Sequence, residues 1–233
     1  MPDMPKKRRS APGSSRLPTP GPAPEPAPGP ADSRADDLLP TGDGSARCWW
    51  CGTDPQYVSY HDREWGRMPA HDHRLFEKIC LEGFQAGLSW LTVLRKRDRF
   101  REVFHDFDPG RLVRFKPCDV DRLLADPGII RHRKKIESTI NNARRYLELT
   151  ADAGSFRDFI EPYRSGSSEP PRSRREIPAR TGASAALSRE LKRRGWSFVG
   201  PTTLYAFMQS VGLVNDHLAG CHVREACETA RNG

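Results

Sequence analysis

The stretch LLADPGIIRHRKKIESTINNARRYLEL, Leu123 to Leu149, carries two helical patterns, one ending near Ala125 and one beginning near Arg131. A tight Pro127-Gly128 turn joins them and presents Ile129 and Ile130. This is the grammar of a helix-hairpin-helix, in which turn amides and the positive N-terminus of the second helix face a phosphate while the isoleucines pack beneath. Gly128, Ile129, Ile130, Arg131, His132 and Lys135 are therefore the candidate DNA-binding residues, with Arg133 and Lys134 adding charge. An ordinary αα-hairpin with a solvated basic face would read the same way.

Toward the N-terminus, ICLEGFQAGLSWLTVL, Ile79 to Leu94, reads as the middle of one long helix that opens near Asp72 and closes in the basic run from Arg95 to Arg101. On a 3.6-residue wheel Glu82, Ala86 and Ser89 share a face, with Gln85 and Trp90 at its edges. Gly83 and Gly87 each cost a helix about 1 kcal/mol relative to Ala, so close approach is expected there. Such a face is either one wall of a pocket or a core helix with a single satisfied acid. Further amphipathic helices are expected around Arg99 to Phe104, after Asp108-Pro109, after Pro117, over Ser184 to Arg194 and from Pro201. No stretch alternates as a strand does, so the fold class is all-α.

The 233 residues divide unevenly. Residues 1 to 45 hold eleven of the 21 prolines, including TPGPAPEPAPGP, and few large apolar side chains, so a disordered tail is expected over 1–45, a helical domain over 46–228 and a short C-terminal tail over 229–233. KKRR, Lys6 to Arg9, is too short a basic run to assign a role. The tail's six basic and six acidic residues cancel, which places the whole excess of +8 on residues 46–233. A compact basic domain is the electrostatic footprint of a nucleic-acid binder, although basic proteins without that role exist. No apolar run approaches membrane-spanning length and no signal-peptide pattern opens the chain, so an intracellular protein is expected. RSGSSEPPRSRREIPAR, residues 164–180, reads as a polar linker or surface loop.

The segment ARCWWCGTDPQYVSYHDREWG, Ala46 to Gly66, begins the domain. Asp54 followed by Pro55 forms an N-cap with proline at the first helical position, predicting a short helix that carries Tyr57, Tyr60 and His61. Trp49, Trp50 and Trp65 lie close by, and buried phenols and indoles need polar partners. Six cysteines cluster toward the two ends of the domain, which in an intracellular protein favours metal ligands or free thiols over disulfides. Cys48 and His61 at one end, with His217 and Cys221 on one side of a helical turn at the other, offer a Cys2His2 set suited to a closed structural Zn²⁺ site. Spacing alone leaves rivals: Cys51 or His222 as a substitute ligand, Cys48 and Cys51 as a redox pair, or unbound thiols.

RCWWCGTDPQYVSYHDREWG, ICLEGFQAGLSWLTVLRKR, GIIRHRKKI and FVGPTTLYAFMQSVGLVNDHLAGC, in this order from Arg47 to Cys221, together resemble the 3-methyladenine-DNA glycosylase I family of bacteria. The resemblance implies a helical helix-hairpin-helix glycosylase that excises 3-methyladenine from double-stranded alkylated DNA in the bacterial cytoplasm, associated with the nucleoid through DNA; a monomer is the default expectation for an enzyme that scans DNA. It places the structural zinc on Cys48, His61, His217 and Cys221. It places the catalytic and base-reading groups at Glu82 and Tyr60, with Trp50, Tyr57 and Trp90 binding the base. Phe84 and Cys51 depart from the pattern expected of the family, and the Pro-rich tail exceeds it. No aspartate follows the hairpin, where the residues are Ile136, Glu137, Ser138, Thr139 and Ile140, and no lysine nucleophile stands out. A monofunctional glycosylase without lyase activity is expected. The competing classes are a non-catalytic zinc-containing helix-hairpin-helix DNA-binding protein and a thiol- or zinc-dependent regulator built on Cys48 and Cys51. Discrimination between methylated purines and the side chain that plugs the vacated duplex are not legible at this level.

Overall fold

The computed structural model describes residues 37–165 and 169–232. The tail expected over 1–45 lies outside the described residues as far as residue 36. In its final part, strand β1 (Leu38–Pro40) pairs antiparallel with β2 (Ala46–Cys48), Leu38 opposite Cys48. This ribbon corrects the expectation of no strand at all. Three-residue strands bounded by Pro40 and a turn are too short to show alternation, so no period of two marks them.

Eleven α-helices carry most of the described residues. They are α1 (Pro55–Arg63), α2 (Asp72–Gln85), α3 (Trp90–Leu94), α4 (Arg97–Val103), α5 (Pro109–Leu112), α6 (Pro117–Ala125), α7 (Arg133–Ala153), α8 (Phe156–Ile160), α9 (Gly182–Arg193), α10 (Pro201–Ser210) and α11 (Arg224–Asn232). The starts of α1 and α5 follow side-chain chemistry. Asp54 accepts from the amides of Gln56 and Tyr57, Asp108 from those of Gly110 and Arg111, and proline occupies the first turn in both. Helix α11 runs through residues 229–232, where a C-terminal tail is expected from sequence.

The long helix expected from Asp72 to Arg101 is three helices. Gln85 to Leu88 forms a β-turn closed by the Leu88 amide on the Gln85 carbonyl at 2.6 Å, with Ala86 at φ −46°, ψ 114° and Gly87 at φ +81°. Those angles define a type II turn, whose third residue needs φ > 0 and hence glycine. Gly87 therefore breaks the helix instead of sitting within it. Gly83 fits the close-approach reading: a Cβ there would stand 3.4 Å from that of Phe198.

Helix α2 is the hub. Asp72, in its first turn, accepts hydrogen bonds from the Tyr146 hydroxyl of α7 and from the amides of Phe156 and Arg157 at the start of α8. One carboxylate thus ties three helices. Helix α10 packs against α2 and α9, and α7 lies against α2, α5, α6 and α8. Seven phenylalanines from Phe76 to Phe207 are essentially fully buried in this core, each contributing about 1.5–3 kcal/mol over exposure.

Candidate base pocket and metal centre

Helices α6 and α7 frame the expected hairpin. Ile129 is buried, and Ile130 packs partly on the core. The Gly128 amide donates to Asp126 at 2.7 Å, and a Cβ on Gly128 would lie 2.6 Å from the Arg99 side chain, so glycine is required by contact. His132 caps α7, its Nδ1 accepting from the Lys135 amide at 3.4 Å. Arg131 is exposed. Lys135, expected from sequence to face DNA, is turned inward: its ammonium donates to the carbonyls of Phe84 at 2.9 Å and Ala86 at 2.6 Å. It caps the C-terminal end of α2, where orphan carbonyls favour a cation.

The turn at Gly87 sends the chain into α3, whose first residue is Trp90. Ser89, which a continuous helix would place on the Glu82 face, instead caps α3 through the Thr92 amide. Trp90 and Tyr60 pack with centroids 5.3 Å apart, and Trp50 contacts Tyr57 at 5.1 Å and Trp65 at 4.9 Å. These rings wall a cavity of about 250 Å³ whose lining includes Glu82 and Gln85 from α2. The five residues expected to be catalytic or base-binding, Glu82, Tyr60, Trp50, Tyr57 and Trp90, all meet at this cavity.

Sequence reasoning misses Ile177, Ala206 and Gln209, which also line it. Ile177 lies in the segment with the composition of a linker, and nothing in that polar run marks it. Gln209 carries a usable signal as the one amide in the apolar helix TLYAFMQ. Its Nε2 donates at 2.7 Å to Asp216, which also accepts from the Tyr205 hydroxyl.

Glu82 is 5 % exposed, and its Oε2 has no hydrogen-bond partner among the described residues. The Trp90 indole N–H is likewise buried and unpartnered among them. Buried polar groups left open in this way are rare in folded proteins, and two on one cavity mark a place for a polar ligand. Burial pushes the Glu82 carboxyl up to about 8, with Lys78 opposing the shift. Near neutrality the cavity by itself therefore favours a protonated Glu82, and a cation entering would favour its ionised form.

Cys48, His61, His217 and Cys221 converge behind this wall. Their four ligand atoms lie within 4.8 Å of one another, and all four residues are buried. His217 and Cys221 sit on a loop, not on the helical turn their spacing suggests. The Cys221 sulfur is 3.4 Å from His217 Nδ1 and 3.5 Å from His61 Nε2, while Cys48 is 3.7 Å from His217 Nδ1. Tetrahedral zinc with ordinary Zn–S and Zn–N bonds separates sulfur from nitrogen by about 3.6 Å, so the residues fit the ion. His61 is oriented by Asp62, 2.8 Å from its Nδ1, and Asp62 by a bidentate pair with Arg47. Such an outer carboxylate is the usual support of a metal-bound imidazole.

Cys51 faces away from this set, its thiol donating to the Cys48 carbonyl. His222 reaches the Ala46 carbonyl and stands 3.6 Å from Asp62. Neither rival belongs to the four-residue cluster. The Cys221 thiol is held well below its ordinary range by the Cys48 thiol beside it and by His217 and His61. The cluster also braces the pocket, since His61 packs on Trp50 at 5.1 Å and His217 on Trp65 at 4.5 Å.

Known proteins are similar to this chain along most of its length. Residues 50–225 match the methyladenine glycosylase family model. The chain is 50 % identical over 177 residues to DNA-3-methyladenine glycosylase 1 of Escherichia coli, covering 75 % of this chain and 95 % of that protein. It is 47 % identical over 180 residues to DNA-3-methyladenine glycosylase of Haemophilus influenzae, covering 76 % and 97 % respectively. A solved structure of 3-methyladenine DNA glycosylase I from Staphylococcus aureus, concerned with the structural basis of 3-methyladenine recognition, superposes with a TM-score of 0.71 at 36 % identity, over 74 % of this chain and 93 % of that one. A family model matching residues 50–225, with a relative 50 % identical over nearly its whole length, shows that this chain belongs to the methyladenine glycosylase family.

Proposed function

We propose that this protein is a base-excision-repair hydrolase that releases 3-methyladenine from alkylated DNA by cleaving the N-glycosidic bond. The observation that carries the reading is Glu82: a buried carboxyl whose Oε2 has no hydrogen-bond partner among the described residues, set in an aromatic cavity. While still attached to the sugar, an N3-methylated adenine is cationic. Its bond is weak, and departure restores a neutral base. Extrusion from the stack costs a few kcal/mol, less for a lesion that pairs poorly.

Inside the cavity, the faces of Trp90, Tyr60 and Trp50 favour the cation by about 0.5–2 kcal/mol each. Glu82 loses its proton to solvent as the cation enters, and then accepts a hydrogen bond from the exocyclic amine. An unmodified, neutral adenine brings no charge to offset the ionised carboxylate, so it is disfavoured by the same desolvation that raises the acid. These contacts recognise the cationic base, whereas rate comes from the weakness of its bond and from orientation; as the neutral base leaves, water adds to the sugar carbon and gives up a proton to solvent, and no group in the cavity serves as a covalent nucleophile. The enzyme is therefore monofunctional and leaves an abasic site. Double-stranded DNA is gripped through the Gly128 to His132 turn as a helix-hairpin-helix, with Lys135 bracing α2 behind it. The enzyme acts as a monomer in the bacterial cytoplasm, on nucleoid DNA.

A Zn²⁺ held by Cys48, His61, His217 and Cys221 would supply a cross-link between the two ends of the domain. With four protein ligands there is no open position for substrate. Incubation with methylated duplex DNA tests the reading. Free 3-methyladenine and an intact strand with an abasic site are expected. A borohydride-trapped DNA adduct, or no base release, would contradict it.

A further inference from the structure

Trp90 borders a second cavity of about 320 Å³, separate from the aromatic one that contains Glu82. Its lining holds six cationic side chains and only two acids. Those acids already have partners. Glu64 takes two hydrogen bonds from Arg97, at 2.6 and 2.9 Å, and Glu77 pairs with Arg74 and with Arg101, the latter at 2.8 Å. Asp98 and Asp106 touch Arg101 and Arg74 from outside at 3.4 and 3.7 Å, but both are largely exposed and screened by solvent. Arg63, Arg67 and Lys78 are left without an ion pair among the described residues.

Two further details indicate that the site is open to a ligand. The Arg97 Nε–H is buried without a hydrogen-bond partner among the described residues. The Lys78 ammonium lies 5.1 Å from the centre of the Tyr60 ring, and burial draws it below the ordinary lysine range. Like charges collected in a concave, poorly solvated site repel one another, and an anion carrying several acceptor oxygens removes that repulsion while engaging the free donors.

We propose that the cavity bounded by Arg63, Arg67, Lys78 and Arg97 is a second ligand site, which takes a phosphate-class oxyanion. Arginine forks supply directional N–H donors, and Lys78 supplies a compact charge at the inner wall. The phosphate comes either from the backbone of bound DNA or from solution, and the chemistry recognised is the same.

Calorimetric titration of the full chain with inorganic phosphate tests this. Saturable one-to-one binding is expected, weakened at least tenfold in Arg67→Gln and in Lys78→Met. Arg63→Gln lies at the exposed rim, so its weaker but measurable loss keeps the test valid should Lys78→Met fold poorly. Titration with undamaged duplex DNA over a range of salt then separates the sources. A slope of log affinity against log salt reduced by about one in Arg67→Gln assigns the site to a DNA phosphate. An unchanged slope with lost phosphate binding assigns it to free phosphate. No saturable phosphate binding, or binding unaltered in all three variants, overturns the proposal.

Discussion

Replacing Glu82 by Gln removes the titration of one buried carboxyl while keeping its shape, so the pH dependence of the stability difference isolates that group. In the folded chain burial raises Glu82 from 4.5 to about 8. Between these values the unfolded chain has released the proton and the folded chain still holds it. Stability from this group is therefore complete below pH 4.5 and falls as pH rises toward 8, by about 1.4 kcal/mol per unit. The span from 4.5 to about 8 corresponds to about 5 kcal/mol in all. Urea unfolding of both proteins at a series of pH values reads this directly, because every other titrating group is common to the pair. Glu82→Gln should gain on wild type steadily from about pH 5 to pH 8, then hold level. Since Lys78 lowers the Glu82 value, Lys78→Met extends the window upward. A difference between wild type and Glu82→Gln that is flat across the range would defeat this account, because it would mean that the carboxyl is solvated or paired.

Other perturbations separate the supporting parts. Stripping metal with a chelator, or replacing His217 by Ala, should lower stability by about 4–5 kcal/mol, the loop-closure entropy of a cross-link spanning more than about 100 residues; metal analysis and denaturant midpoints check it. Gly87→Ala should cost about 1–2 kcal/mol because the turn holds φ at +81°, and base release should fall with it as Trp90 shifts; an unchanged denaturation midpoint would argue against the turn. Lys135→Met leaves the Phe84 and Ala86 carbonyls unpaired and should destabilise by about 3 kcal/mol without changing the salt dependence of DNA affinity, which a phosphate-contacting lysine would alter.

The parts of the fold legible in the sequence are those governed by local chemistry. Asp54-Pro55 and Asp108-Pro109 mark helix starts because the cap and its proline act within one turn. The Cys/His set can be assembled because thiols and imidazoles have few other reasons to gather at two ends of a chain, and the four residues do meet. Features decided by a single backbone angle or by tertiary contact escape such reading. Gly87 reads as a helical glycine kept for close approach, yet a Cβ there would meet nothing within 4 Å, and its positive φ divides the helix and moves Ser89 off the Glu82 face. Lys135 looks like any cation of a basic run, and only the nearby end of α2 draws it inward. Ile177 reaches the base cavity from a loop whose composition is polar around it. The excess charge of the domain is visible from composition, but its concentration beside Trp90 is not, because Arg63 with Arg67, Lys78 and Arg97 come from three separate segments.

The role of the buried carboxylate is decided by the single-turnover rate of 3-methyladenine release from methylated duplex DNA by Glu82→Gln against wild type, with both proteins shown to be folded and equally metal-loaded. A loss of at least tenfold is expected, with wild-type activity rising as pH approaches about 8 and the variant's staying flat. Release at the wild-type rate by Glu82→Gln would show that the carboxylate does not read the base.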